Sequence, residues 1–219
     1  MNTNHPEIPQ EGLVLIDKPV GISSFGVVAR LRRATGVRRI GHAGTLDPMA
    51  SGLLICLIGR AYTRQAGTYL KLDKVYEVEI ALGANSTTGD QEGELTPISE
   101  QVPTLAEVKR AIAQFTGEIM QTPPQYSAIK VAGKRAYDLA RRGETVELAA
   151  RPVTIYSIEQ VQYQYPKLSF VARVSSGTYI RSLGEDIGAA LGTGAYVTQL
   201  RRTQIGEFDI ADATSITPV

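Results

Sequence analysis

Tryptophan is absent from the 219 residues, cysteine occurs once and histidine twice. A single cysteine forbids an internal disulfide. Cys56 lies inside the run Leu53-Leu54-Ile55-Cys56-Leu57-Ile58, where a thiol serves as a small buried hydrophobe and not as a nucleophile. One cysteine with His5 and His42 is a poor supply of ligands, so no metal is expected. The chain has no G-x-x-x-x-G-K-[ST] loop, and Gly192-Thr193-Gly194 lacks the remaining glycine of a dinucleotide fingerprint, so no nucleotide cofactor is expected either. No apolar run approaches membrane-spanning length, and residues 1–10 are polar and proline-containing, without the apolar core of a signal peptide. A cytoplasmic chain with no membrane association is the expectation.

Net charge is also nearly lacking, at +1 from 23 basic and 22 acidic residues. Its distribution is uneven. Arg30, Arg32, Arg33, Arg38 and Arg39 crowd one stretch, and Arg141/Arg142 and Arg201/Arg202 form doublets. Any one doublet is ordinarily a solvated face, but three clusters together favour a polyanionic partner. With 43% hydrophobic and 21% charged residues the composition is that of an ordinary globular chain, long enough for a substantial core.

Periodicity predicts the elements. Leu13-Val14-Leu15-Ile16 reads as a strand, followed by the turn Asp17-Lys18-Pro19-Val20-Gly21 and a helix capped by Ser23 or Ser24 and stopped by Gly36. Residues 41–52 read as a loop of small residues and 53–58 as a central strand. Tyr76, Val78, Ile80 and Leu82 alternate with Glu77 and Glu79, which predicts a strand with one wet side, and residues 85–93 read as a polar loop. Thr104-Leu105-Ala106-Glu107 is a capping box opening an amphipathic helix. Residues 121–143, with Pro123-Pro124 and a short basic helix around 134–142, predict a protruding, ligand-facing segment. Strands near 153–161 and 168–174, a helix over 179–191 and a strand over 195–205 complete the pattern. The irregular mixture predicts one α+β domain with a mixed, largely antiparallel sheet flanked by helices.

Three side chains invite chemistry without compelling it. Asp47 stands in Gly41-His42-Ala43-Gly44-Thr45-Leu46-Asp47-Pro48, where Pro48 holds it extended; it is either a stiffly mounted reactive carboxylate or a turn residue bonding nearby amides. Arg181 lies in the first turn of its helix away from the apolar stripe, and is either solvated or poised to orient a carboxylate such as Asp47. Tyr76 is either a core residue or a stacking platform for a nucleobase.

At these motifs the sequence resembles the TruB family of tRNA pseudouridine synthases. The stretch from Gly41 to Pro48, continuing to Gly52-Leu53-Leu54, is similar to the family's signature around its catalytic aspartate. Lys74-Val75-Tyr76 with Thr88-Gly89-Asp90, Pro123-Pro124-Gln125-Tyr126-Ser127-Ala128-Ile129-Lys130, Ser176-Gly177-Thr178-Tyr179-Ile180-Arg181-Ser182-Leu183 and Leu200-Arg201-Arg202-Thr203 are similar to four further blocks, in order. The resemblance implies a pseudouridine-synthase-like fold, with a mobile thumb at about 121–150, and isomerisation of the T-loop uridine at position 55 of tRNA. It implies Asp47, Tyr76 and Arg181 as the catalytic set, the tyrosine stacking on the flipped base and the arginine pairing with the aspartate. Leu200 would form the apolar pocket, His42 would hold extruded T-loop nucleotides, and Tyr179 and Asp90 would line or support the pocket. Arg32, Arg33, Lys130 and Arg202 would contact RNA. No cofactor is implied; the expected partner is the tRNA T arm, bound by a monomer. Bacterial members of the family usually carry a further C-terminal RNA-binding domain. This chain ends soon after Asp212-Ala213-Thr214-Ser215, so a catalytic domain without that appendage is expected. Alternatives are action on another RNA, dependence on a guide RNA, or a non-catalytic tRNA-binding module.

Overall fold

A computed structural model of the chain describes residues 8–127, 129–131, 134–135, 139, 142 and 146–216. In chain order its elements are β1 (Gly12–Lys18), α1 (Ser24–Thr35), β2 (Ile40–Ala43), β3 (Ser51–Ile58), α2 (Arg60–Thr63), α3 (Ala66–Leu70), β4 (Lys74–Leu82), β5 (Ala84–Ser86) and β6 (Leu95–Pro97). There follow α4 (Leu105–Ala113), β7 (Gly117–Gln121), β8 (Lys130–Val131), β9 (Lys134–Arg135), β10 (Arg151–Gln164) and β11 (Lys167–Val174). The chain ends with α5 (Ile180–Leu191), β12 (Ala195–Ile205), β13 (Phe208–Asp209), a 3-10 turn (Ile210–Asp212) and β14 (Thr214–Ser215). It divides into two compact units, Met1–Tyr76 with Leu200–Val219, and Glu77–Gln199. No described helix is long and apolar enough to cross a membrane.

The first unit is organised by β3. It pairs antiparallel with β1 from Lys18↔Gly52 to Gly12↔Ile58, antiparallel with β2, and parallel with β12 at Arg201↔Ser51 and Arg202↔Gly52. β14 adds to β1 in parallel. Both faces of β3 are covered, which is why its sequence is a continuous apolar run instead of an alternating one. Leu54, Cys56 and Ile58 pack with Val27, Val28 and Leu31 of α1, while Leu53, Ile55 and Leu57 pack with Ile205, Tyr62, Tyr69 and Phe208. Burial pushes the Cys56 thiol up to about 12, consistent with an inert core cysteine. Helix α1 begins where the Ser23 hydroxyl accepts the Gly26 N–H at 3.0 Å, and ends where Gly36 turns left-handed at φ 72° and donates to the Arg32 carbonyl.

In the second unit the strand order is β12-β4-β11-β10-β7. β10 and β11 form an antiparallel hairpin with register shifts after Ile155 and Glu159, and β7 pairs antiparallel with β10. Val78, Ile80 and Leu82 of β4 are buried as their alternation predicts. Helix α5 lies close over the sheet at Gly184, where a Cβ would sit 3.2 Å from Ile80 and 3.4 Å from Val197. The capping box forms as predicted: the Thr104 hydroxyl accepts the Glu107 N–H, and the Glu107 carboxylate accepts the Thr104 N–H at 2.7 Å. The Thr104 N–H, and then the Thr104 hydroxyl, both donating to the Glu107 carboxylate, hold that carboxyl below its ordinary pKa.

The departures from expectation are local. The Gly41–Gly52 loop is shorter, because residues 40–43 pair with β3. The polar loop after β4 begins with a short pair, Ser86↔Leu95 to Ala84↔Pro97. Lys134–Arg135 pair with Lys130–Val131 instead of opening a helix, and most of the basic helix expected at 134–142 lies outside the described residues.

Candidate active site

Asp47 sits half-buried in the turn between β2 and β3, held from both sides by residues from the end of β1 to the start of α1. Before it, the Ser24 hydroxyl accepts the Leu46 N–H at 2.9 Å and donates to the Leu46 carbonyl at 3.1 Å. After it, the Pro48 carbonyl accepts the Gly21 N–H at 2.8 Å and faces the Lys18 ammonium at 3.5 Å. Lys18 is fully buried and also donates to the carbonyls of Pro19 and Ile22. Leu46, Met49 and Ala50 bury their side chains around the turn, which the Ala50 N–H closes onto the Asp47 carbonyl. The stiffness inferred from Pro48 is therefore a small part of the mount.

Arg202 lies behind this turn, 1% exposed. Its Nε donates to the Leu53 carbonyl at 2.8 Å, one Nη to the Gly44 carbonyl at 2.9 Å, and the other approaches the Tyr76 hydroxyl at 3.5 Å. This corrects the expectation that Arg202 contacts RNA, because its guanidinium is spent inside the protein. Arg201 points the other way, to Asp17 at 2.8 and 3.1 Å. Successive strand residues face opposite sides, so the doublet never formed one basic face. Tyr76 is 8% exposed and Leu200 9%.

His42 stands on β2 opposite Cys56, with the Phe25 ring edge-on at 5.4 Å. Burial, and then the Arg202 charge, hold its imidazole below the ordinary pKa, so it is neutral at pH 7. Its Nδ1 is buried without a hydrogen-bond partner. Arg32 and Arg33 are exposed at the end of α1, and Arg32 donates to the Ile40 carbonyl at 3.1 Å.

Within the second unit a set of buried polar contacts centres on Arg181. Of the two readings left open for Arg181 the solvated one is ruled out, since the residue is 5% exposed. It donates to the Thr88 and Tyr126 carbonyls, each at 2.8 Å, and its Nε lies 3.8 Å from the Asp90 carboxylate. Asp90 is itself buried and accepts the Thr88 hydroxyl at 2.6 Å and the Glu92 N–H at 3.0 Å. Tyr179 precedes α5; its N–H and carbonyl bond the Gln121 side chain at 2.8 and 3.1 Å, and the Arg151 guanidinium lies over its ring. Three stretches distant in sequence, 88–90, 121–126 and 179–182, are thereby locked together, with the Ser182 hydroxyl donating to the Thr122 carbonyl. Lys130 lies on β8, its side chain outside the described residues.

Backbone carbonyls of several of the sequence blocks, at Gly44, Leu53, Thr88 and Tyr126, thus accept from the buried guanidinium groups of Arg202 and Arg181. The family described as TruB family pseudouridylate synthase (N terminal domain) matches residues 32–180, and that described as tRNA pseudouridylate synthase B C-terminal domain matches 181–219. The chain belongs to the TruB family of pseudouridylate synthases. A protein named tRNA pseudouridine synthase B from Chlamydia muridarum is 45% identical over 202 residues, covering 92% of this chain and 83% of the relative. One of the same name from Thermobifida fusca is 49% identical over 218 residues, covering 94% of this chain and 73% of the relative. The crystal structure of a Cbf5-Nop10-Gar1 complex matches with a TM-score of 0.73 at 33% identity, over 95% of this chain and 52% of that one. This chain therefore spans about half the length of that neighbour. The fold is the α+β pseudouridine-synthase fold that the motifs implied.

Sequence reasoning gave Lys18, Ser24, Gln121 and Arg151 no part in the site. Lys18 carried a usable signal, since a lysine inside an otherwise apolar strand end must find buried acceptors. Ser24 carried none, because either serine of the pair could have been the cap.

Proposed function

We propose that the protein is a tRNA pseudouridine synthase acting on the T-loop uridine at position 55, with Asp47 as the carboxylate that engages the flipped nucleoside. The observation that carries the reading is the match to enzymes named tRNA pseudouridine synthase B at 45% and 49% identity across most of the chain. The reaction breaks the bond from C1′ to N1, turns the uracil, and joins C1′ to C5. C5 loses a proton and N1 gains one, so atoms and electrons balance without an oxidant or reductant. The base must first leave its stack, which costs a few kcal/mol and is recovered in the pocket.

In this reading Tyr76 stacks on the base, Leu200 supplies apolar wall, and Arg181 pairs with Asp47 while Asp90 holds Arg181 from behind. His42 offers a neutral ring to the extruded nucleotides, and Tyr179 lines the pocket. Arg32, Arg33 and Lys130 meet phosphates of the T arm, a folded RNA recognised chiefly by shape and backbone. A cytoplasmic monomer with an open RNA face belongs to the same proposal.

The test is purified protein with unmodified tRNA and no other macromolecule, followed by chemical mapping of pseudouridine. The expected product is one pseudouridine, in the T loop. The likeness to Cbf5, solved in a complex with Nop10 and Gar1, motivates the alternative of a partner-dependent enzyme. No turnover alone, with turnover restored by a guide RNA or protein partners, would establish that alternative.

A further inference from the structure

Arg202 is the largest fully buried side chain among the described residues, and an arginine cannot discard its charge to ease that burial. Its acceptors come from three places: the Gly44 carbonyl ahead of Asp47, the Leu53 carbonyl beyond it, and the Tyr76 hydroxyl on β4. Its own backbone is clamped as well. Arg202 stands in register with Gly52, where a Cβ would come within 2.2 Å of the Arg202 carbonyl oxygen, so only glycine lets β12 close on β3. A planar fork that donates in several fixed directions can join three such acceptors; an ammonium at the same depth is a point donor and cannot hold the same angles.

We propose that Arg202 is a positioning residue, which fixes the turn bearing Asp47 and the ring of Tyr76 as one rigid unit. The inference rests on the pseudouridine synthase reading and deepens it. Arg202 is 1% exposed, so its influence is expected in the chemical step and not in RNA affinity. A carboxylate and a stacked base must meet within a fraction of an ångström, and small misplacements made behind a site are costly in rate.

The test is a double-mutant cycle. Arg202→Lys, Arg202→Met and Tyr76→Phe, with each Arg202 change combined with Tyr76→Phe, are checked for native circular dichroism. Each is then measured for tRNA Kd and for the single-turnover rate of pseudouridine formation. The expected result is a Kd within about two-fold of the parent and a rate lowered at least about thirty-fold by Arg202→Lys, on the order of 2 kcal/mol. The penalty is expected to shrink at least about three-fold when Tyr76 is already phenylalanine, because the two substitutions break one link. Should Arg202→Met fail to fold, Arg202→Lys decides alone. Penalties that simply multiply, or a Kd that weakens in step with the rate, would overturn the inference. A wild-type protein that makes no pseudouridine at all overturns the functional reading instead.

Discussion

One hydroxyl, that of Ser24, satisfies both the N–H and the carbonyl of Leu46, and a buried lysine faces the carbonyl of Pro48. Asp47 is therefore flanked by backbone that cannot drift. Ser24→Ala leaves two polar groups of a 3% exposed residue unpaired, and is expected to lower stability by about 1–3 kcal/mol in denaturant titrations. It should slow turnover more than it weakens tRNA binding; an equal loss in both would contradict the mount described. His42 gives a pH prediction. Its folded pKa lies below the ordinary 6.5 because of burial and the Arg202 charge. Between that value and 6.5 the unfolded chain binds more protons, so the histidine makes stability rise with pH across the window. Acidification from about pH 7.5 to about pH 5 should therefore cost the wild type more than His42→Gln. An unchanged difference in melting temperature would refute this environment. At this scale the sequence singled out Asp47, Tyr76 and Arg181 as candidates but misjudged Arg202, which is buried. Charge suggests solvent, and nothing in a linear pattern announces that backbone carbonyls await a guanidinium in the interior.

Among the elements, β3 decides the first unit. Its two-faced burial was legible as an unbroken apolar run, and α1 was legible because a serine cap and a glycine stop are local chemistry. β2 was hidden, since Ile40-Gly41-His42-Ala43 has no alternation and becomes a strand only through its pairing with β3. The β5–β6 pair was hidden for the same reason. Where β3 meets β12, Gly52 has φ 104° and no room for a side chain. Gly52→Ala must displace backbone, and is expected to cost more than about 4 kcal/mol or prevent folding, as seen in the loss of a cooperative melt. A melt within a few degrees of wild type would show that the strands can part without consequence.

For the whole molecule, a net charge of +1 conceals an uneven surface on which Arg32 and Arg33 remain exposed while Arg202 does not. Arg32→Ala with Arg33→Ala should weaken tRNA binding and reduce the slope of log affinity against log salt by about 1–2. An unchanged slope would remove these arginines from the RNA face. The fold class was legible because capping, alternation and burial agree along the chain, and the family because five motifs recur in order. The central claim concerns Asp47, and Asp47→Asn with unmodified tRNA tests it most directly, since the change keeps size and removes only the charge and its reactivity. The expected result is pseudouridine formation slowed at least about a thousand-fold, on the order of 4 kcal/mol, with tRNA binding retained. Turnover near the wild-type rate by the folded variant would contradict the assignment.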